Sequence, residues 1–180
     1  MGVYYMSKKI ITFLGTGNYQ ETTYEYTVKE NGEKVTMRTR FVQEVIHKIV
    51  GEDAILYVGL TELARKTNWI DRVEKVKDDH EEKTIFLKGL RPILDCRNIS
   101  YREIYLADGK NEEEMWKNFD SIFEILEEGD EVYVDVTHSF RSLPIIIVSV
   151  LNYAKFIKNI DIKGMYYGAF EAKTDSGVTP

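Results

Sequence analysis

A doubly wound, mainly parallel α/β sheet with a β-hairpin inserted after its first strand is the fold this sequence predicts. Three observations carry that reading. Short apolar runs suited to buried strands recur along the chain, and segments with helical spacing separate them. That alternation is the signature of parallel strands joined by crossover helices. Between the first strand and the first helix stands Asn31-Gly32, flanked by alternating residues on both sides, the strongest short hairpin signal.

The elements follow in order. Lys8–Leu14 is a buried strand ending in Gly15-Thr-Gly-Asn-Tyr19. Thr22–Val28 and Lys34–Thr39 form the hairpin. Phe41–Val50 is an amphipathic helix with Phe41, Val45, Ile46 and Ile49 on one face, closed by Gly51. Ala54–Val58 is the second core strand, and Thr61–Asp71 a short helix. Residues 73–100 read least clearly: the charge density from Glu74 to Lys83 suggests a solvated segment, and Ile85–Leu87 an edge pairing. Glu103–Leu106 is the third core strand. Asn111 caps a helix running to about Glu128, with Met115, Phe119, Ile122 and Ile125 or Leu126 inward. Glu131–Val136 is the fourth strand, Ile145–Tyr153 an apolar helix, and Ile162–Tyr167 the last strand.

The bulk numbers narrow the function. The 180 residues suffice for one domain with a real core, and 43% hydrophobic with 30% charged residues is ordinary globular composition. A net charge of −6 argues against broad binding to duplex nucleic acid, though not against a small anion in a local pocket. The single Cys96 excludes an intramolecular disulfide and fits a reducing, cytoplasmic setting. No apolar run approaches the roughly 18–20 residues that span a bilayer, so no membrane partner is expected. Residues 6–170 read as one ligand-binding domain, and residues 171–180 as a polar tail leading toward a further domain.

Chemistry concentrates in two turns. Asp135-Val-Thr-His-Ser-Phe-Arg-Ser-Leu-Pro144 joins a core strand to a core helix. Ligands of open α/β sheets bind outside the carboxyl ends of strands, and a helix start supplies free N–H groups there for an anion. Arg141 adds a planar fork suited to phosphate. Asp135 either orients this turn or, if it faced the pocket, would repel phosphate. A purely structural alternative has Thr137 or Ser139 capping the helix and Arg141 paired with a surface carboxylate. The other turn, Gly15 to Tyr19, lacks the third glycine of a dinucleotide fingerprint, since Gln20 stands there and a hairpin follows instead of a helix. Its glycines still permit close backbone approach, and Thr16 and Tyr19 can hydrogen-bond or stack.

Other patterns are weaker. Asp135, His138 and Ser139 are too close in sequence for a hydrolase triad. Arg40-x6-His47 imitates a metal-independent ribonuclease pattern but lies on a helix packed against a sheet. No His, Cys and carboxylate spacing suits a metal, and no cofactor is expected.

The two turns in this order, with Tyr166-Tyr-Gly-Ala-Phe-Glu171 near the end, resemble the CARF family, the CRISPR-associated Rossmann-fold sensor domains of type III systems. The resemblance covers nearly the whole chain except residues 60–100. It implies a Rossmann-like homodimer that binds cyclic oligoadenylate across its two-fold axis and allosterically activates a C-terminal effector, commonly a HEPN ribonuclease. By motif, Gly15, Thr16, Gly17, Asn18 and Tyr19 would line the pocket. Thr137, His138, Ser139, Phe140 and Arg141 would form its floor, with Tyr19 and Phe140 as adenine walls. Some family members cleave their ligand as ring nucleases, and here His138 and Arg141 would carry that reaction. No effector ribonuclease domain is visible in these residues.

Overall fold

The computed structural model describes residues 7–28, 32–78, 81–138, 142–169 and 178–179. Five strands make the central sheet: β1 (Lys8–Leu14), β4 (Ile55–Leu60), β7 (Tyr101–Tyr105), β8 (Glu131–Asp135) and β9 (Asp161–Tyr166). Their order is β7-β4-β1-β8-β9, and every neighbouring pair is parallel. The chain starts in the middle, winds outward to β7, then returns to the other side of β1. The winding direction therefore reverses between β1 and β8, which is where such sheets open a crevice.

Two cores account for the run of apolar residues in β1. Ile10 and Leu14 point to one face, where α1 (Val42–Val50) and α3 (Leu90–Cys96) supply Val42, Val45, Ile46, Leu90 and Leu94. Ile11 and Phe13 point to the other, where α4 (Glu112–Glu124) and α5 (Leu143–Lys158) supply Ile122, Ile146, Ile147 and Val150. A strand covered on both faces has no polar side to alternate with. The doubly wound parallel architecture and the inserted hairpin, β2 (Thr22–Thr27) with β3 (Lys34–Thr39), match the expectation. Asn31 of the hairpin turn lies outside the described residues, and Gly32 follows with φ +70°.

Three readings need correction. Residues 72–87 form a second hairpin, β5 (Arg72–Asp78) and β6 (Glu81–Leu87), which pairs with itself and not with the edge of the central sheet. Its charges mask the strand period because the ribbon is solvated: even the paired Val73 and Phe86 are 63% and 64% exposed. The segment from Thr61 opens with a short turn, α2 (Glu62–Ala64), and continues as a π-helical turn, Arg65–Trp69. Met115 is exposed, and α4 stops at Glu124, although Asn111 caps it as expected by accepting the Glu114 N–H at 2.9 Å. Near the chain's end, β10 (Val178–Thr179) pairs in parallel with β2, and residues 170–177 before it lie outside the described set.

His47 is structural. It is buried on α1 with Nε2 3.2 Å from the Ala54 carbonyl, whereas Arg40 engages other partners. Burial pushes the His47 pKa down, opposed by the Ala54 hydrogen bond. Below pH ~6.5 the unfolded chain takes up a proton that the folded chain resists, so stability falls as pH drops through that range. Urea midpoints at pH 7.5 and 5.5 should therefore drop more for the native protein than for His47→Gln. Equal drops would contradict the assignment.

Candidate functional site

The crevice between β1 and β8 is bounded by the two turns. The strands run side by side, with Ile11 opposite Val134, so Gly15 and Thr137 leave the sheet at the same edge. Three bonds hold the first bend. The Gly15 N–H donates to the Tyr19 hydroxyl at 2.6 Å, and Asn68 Nδ2 donates to the carbonyls of Gly15 and Gly17 at 2.9 and 2.8 Å. Asn68 comes from the π-helical turn and is 1% exposed. Glycine at position 15 admits the Tyr19 hydroxyl: a Cβ there would lie 2.9 Å from that oxygen, so Tyr19 would have to shift.

The second bend is organised from below by Asp135, which is fully buried. One carboxylate oxygen accepts the Thr137 N–H at 2.9 Å, and the other accepts the Thr12 hydroxyl at 2.6 Å. Gln43 Nε2 in turn donates to Thr12 Oγ1 at 3.2 Å and to the Phe13 carbonyl at 3.1 Å. Burial raises the Asp135 pKa, and the bonds from Thr12 and Thr137 work against that rise. Asp135 therefore orients the turn and does not face the cavity. Thr137 does not cap α5: its hydroxyl accepts the Gly168 N–H at 2.8 Å, tying the turn to the end of β9.

The two bends touch. The Tyr19 and His138 rings stack with centroids 4.1 Å apart and planes 21° from parallel, and Phe41 meets Tyr19 edge-on at 5.9 Å. Burial lowers the His138 pKa, with Asp135 opposing it, and His138 Nε2 is buried without a hydrogen-bond partner among the described residues. Burial also raises the Tyr19 hydroxyl pKa and pushes that of Tyr24 up to about 12, so both phenols stay neutral.

Around this contact lies a cavity of about 290 Å³ lined by Asn18, Tyr19, Tyr24, Arg40, Thr137 and His138. An adjoining pocket of about 290 Å³ is mostly apolar, with Tyr24, Tyr26, Val42, Ile46 and Tyr166 in its walls. Of the residues singled out from sequence, Asn18, Tyr19, Thr137 and His138 reach the cavity, while Gly15 and Gly17 shape it through Asn68. Thr16 is exposed and does not line it. Ser139, Phe140 and Arg141 lie outside the described residues. Sequence reading did not assign Arg40, Tyr24, Asn68 or Gln43 to the site; Arg40 enters that reading only through its spacing from His47, and the one available signal was Gln43, an uncharged polar residue inside an amphipathic helix. Among the described residues, no three His, Cys, Asp or Glu side chains are placed to hold a metal ion.

A curated relative, the CRISPR-associated protein MJ1674 of Methanocaldococcus jannaschii, is 32% identical over 182 residues, covering 96% of this chain. The chain spans 25% of that relative's length. Two structures of phosphofructokinase-2 from Escherichia coli, a mutant and the tetrameric inhibited form, align at 11% identity over 89% of this chain and 55% of theirs. Their TM-scores are 0.46 and 0.42, too loose a likeness to carry an argument. The family model described as "CRISPR system endoribonuclease Csx1, CARF domain" matches residues 9–171, nearly the whole described fold, and the chain belongs to that family of CRISPR-associated CARF domains.

Proposed function

We propose that this CARF domain is a dimeric receptor for cyclic oligoadenylate, cyclic tetra-adenylate by preference, that signals occupancy to an attached effector in type III CRISPR defence. The observation that carries the reading is the meeting of the Gly15 and Thr137 bends around one cavity at the switch point of the sheet. The chemistry of the walls fits an oligonucleotide ring. Tyr19, Tyr24 and Tyr166 offer aromatic faces for adenines, and stacking of that kind contributes about 1–3 kcal/mol per base.

A ring with internal symmetry suits a site repeated by a two-fold axis. A patch of exposed apolar residues, with Glu112 beside Trp116, supports pairing of two copies: Ile145, Tyr153 and Phe156 on α5 and Trp116 on α4 are 72%, 49%, 86% and 58% exposed. Ile145 sits in the first turn of α5, directly after the site turn, so a mate on this face would bring the two cavities close. Calorimetric titration with cyclic tetra- and hexa-adenylate tests the function. Saturable binding at micromolar concentration or tighter is expected, and no heat from either ring would refute it.

His138, which lines the cavity and whose Nε2 has no hydrogen-bond partner among the described residues, favours one second reading, cleavage of the bound ring. A neutral imidazole at the cavity wall can accept the proton of a ribose 2′-hydroxyl as that oxygen attacks the adjacent 3′-phosphate; the P–O5′ bond breaks, a 2′,3′-cyclic phosphate forms, and the departing 5′-oxygen takes a proton from water. Linear adenylate after incubation in EDTA would establish it; intact ring after hours would exclude it.

A further inference from the structure

The geometry points to Arg40 as the residue that takes a phosphodiester of an anionic nucleotide ligand in this cavity. Nothing in the sequence motifs assigns it. Arg40 follows β3 directly and precedes Phe41, the N-cap of α1, so its backbone is held between a strand end and a helix start. Its side chain is half-buried on the wall shared with Tyr19 and His138.

Among the described residues, the guanidinium is held by neutral groups only. Nε donates to the Tyr19 carbonyl at 3.1 Å, Nη1 donates to the Lys88 carbonyl at 3.3 Å, and the group lies 5.4 Å from the centre of the Phe41 ring. Those bonds use two of the five N–H donors of an arginine and leave three without a protein acceptor among the described residues. A planar fork held in one orientation is pre-organised for two phosphate oxygens.

The charge balance is the stronger argument. Arg38, Arg65, Arg72, Arg91 and Arg97 each lie within ion-pair distance of a carboxylate. Arg40 has no such partner among the described residues, and Arg102, which shares that trait, is exposed on the edge strand β7. Arg72 stands close by as well, because it pairs across the ribbon with Leu87, the neighbour of Lys88. Burial first, and Arg72 second, push the Arg40 pKa down, while Glu74 and Glu21 act the other way. A partly desolvated cation beside a second cation is costly unless an anion joins it. The cavity is where that anion fits.

This inference rests on the receptor reading, and one set of titrations separates the two. Cyclic tetra-adenylate is titrated into the wild-type chain, Arg40→Lys and Arg40→Gln, with melting curves of each in the absence of ligand. The expected result is at least ~10-fold weaker binding by Arg40→Gln, the scale of one charge-assisted hydrogen bond, with a nearly unchanged melting temperature and partial recovery in Arg40→Lys. As a direct readout, the arginine Nε–H resonance that disappears in Arg40→Lys should shift when ligand is added to wild type. Wild-type binding with Arg40→Gln within twofold of it, or with that resonance unmoved, overturns the role of Arg40 and leaves the receptor standing. Absence of wild-type binding overturns the receptor reading and this role with it.

Discussion

Replacing Asp135 with leucine is expected to lower the stability of the domain by about 4 kcal/mol and to abolish ligand uptake at the same time. Leucine keeps the branching of the carboxylate but is bulkier, so the nearly isosteric Asp135→Asn serves as the packing control. Two donors lose their acceptor: the Thr12 hydroxyl and the Thr137 N–H. Thr12 and Asp135 are both fully buried, so water does not easily replace the carboxylate. Each orphaned buried donor costs about 1–3 kcal/mol. For a domain of this size that predicts a melting temperature lower by roughly 10 °C. Asp135→Asn should be milder, because its carbonyl oxygen can still accept from Thr137. Scanning calorimetry of the three proteins decides the matter, and a leucine variant melting within about 2 °C of wild type would show that Asp135 does not hold the turn.

Tyr19→Ala should weaken binding about 100-fold or more, with a smaller loss of stability than Asp135→Leu. Tyr19 joins both bends. Its hydroxyl accepts the Gly15 N–H, its ring stacks on His138 and abuts Phe41, and its backbone carbonyl accepts the Arg40 Nε–H. Truncation removes the wall against which a base would stack and releases the His138 ring. Tyr19→Phe keeps the ring and loses only the acceptor, so its affinity should fall about tenfold. Equal affinities for alanine, phenylalanine and wild type, measured by calorimetry, would remove Tyr19 from the site.

The parts of this fold that sequence revealed are those where one physical requirement dominates. β1 reads as a central strand because Ile10 to Leu14 are buried on both faces. The hairpin reads from Asn31-Gly32, and α4 from the Asn111 cap. The ribbon at residues 72–87 stayed hidden because its partner is itself, in solvent, where neither alternation nor apolar runs are needed. At the site, the glycine and His138 turns were visible as motifs. Their supports were not: Asn68 lies on a π-helical turn more than fifty residues beyond Gly15, and Gln43 and Arg40 follow a hairpin. Side chains that hold a loop through its backbone leave no local spacing, since any donor of the right reach would serve.

The stoichiometry of ligand capture tests the central claim most directly: that the Gly15 and Thr137 turns form a cavity completed by a second copy. Native mass spectrometry of the chain with cyclic tetra-adenylate reads it in one experiment. The account predicts one ring bound per pair of chains, with the paired species surviving in the absence of ligand. A ring bound to each separate chain, or a chain that stays single and empty, would contradict it.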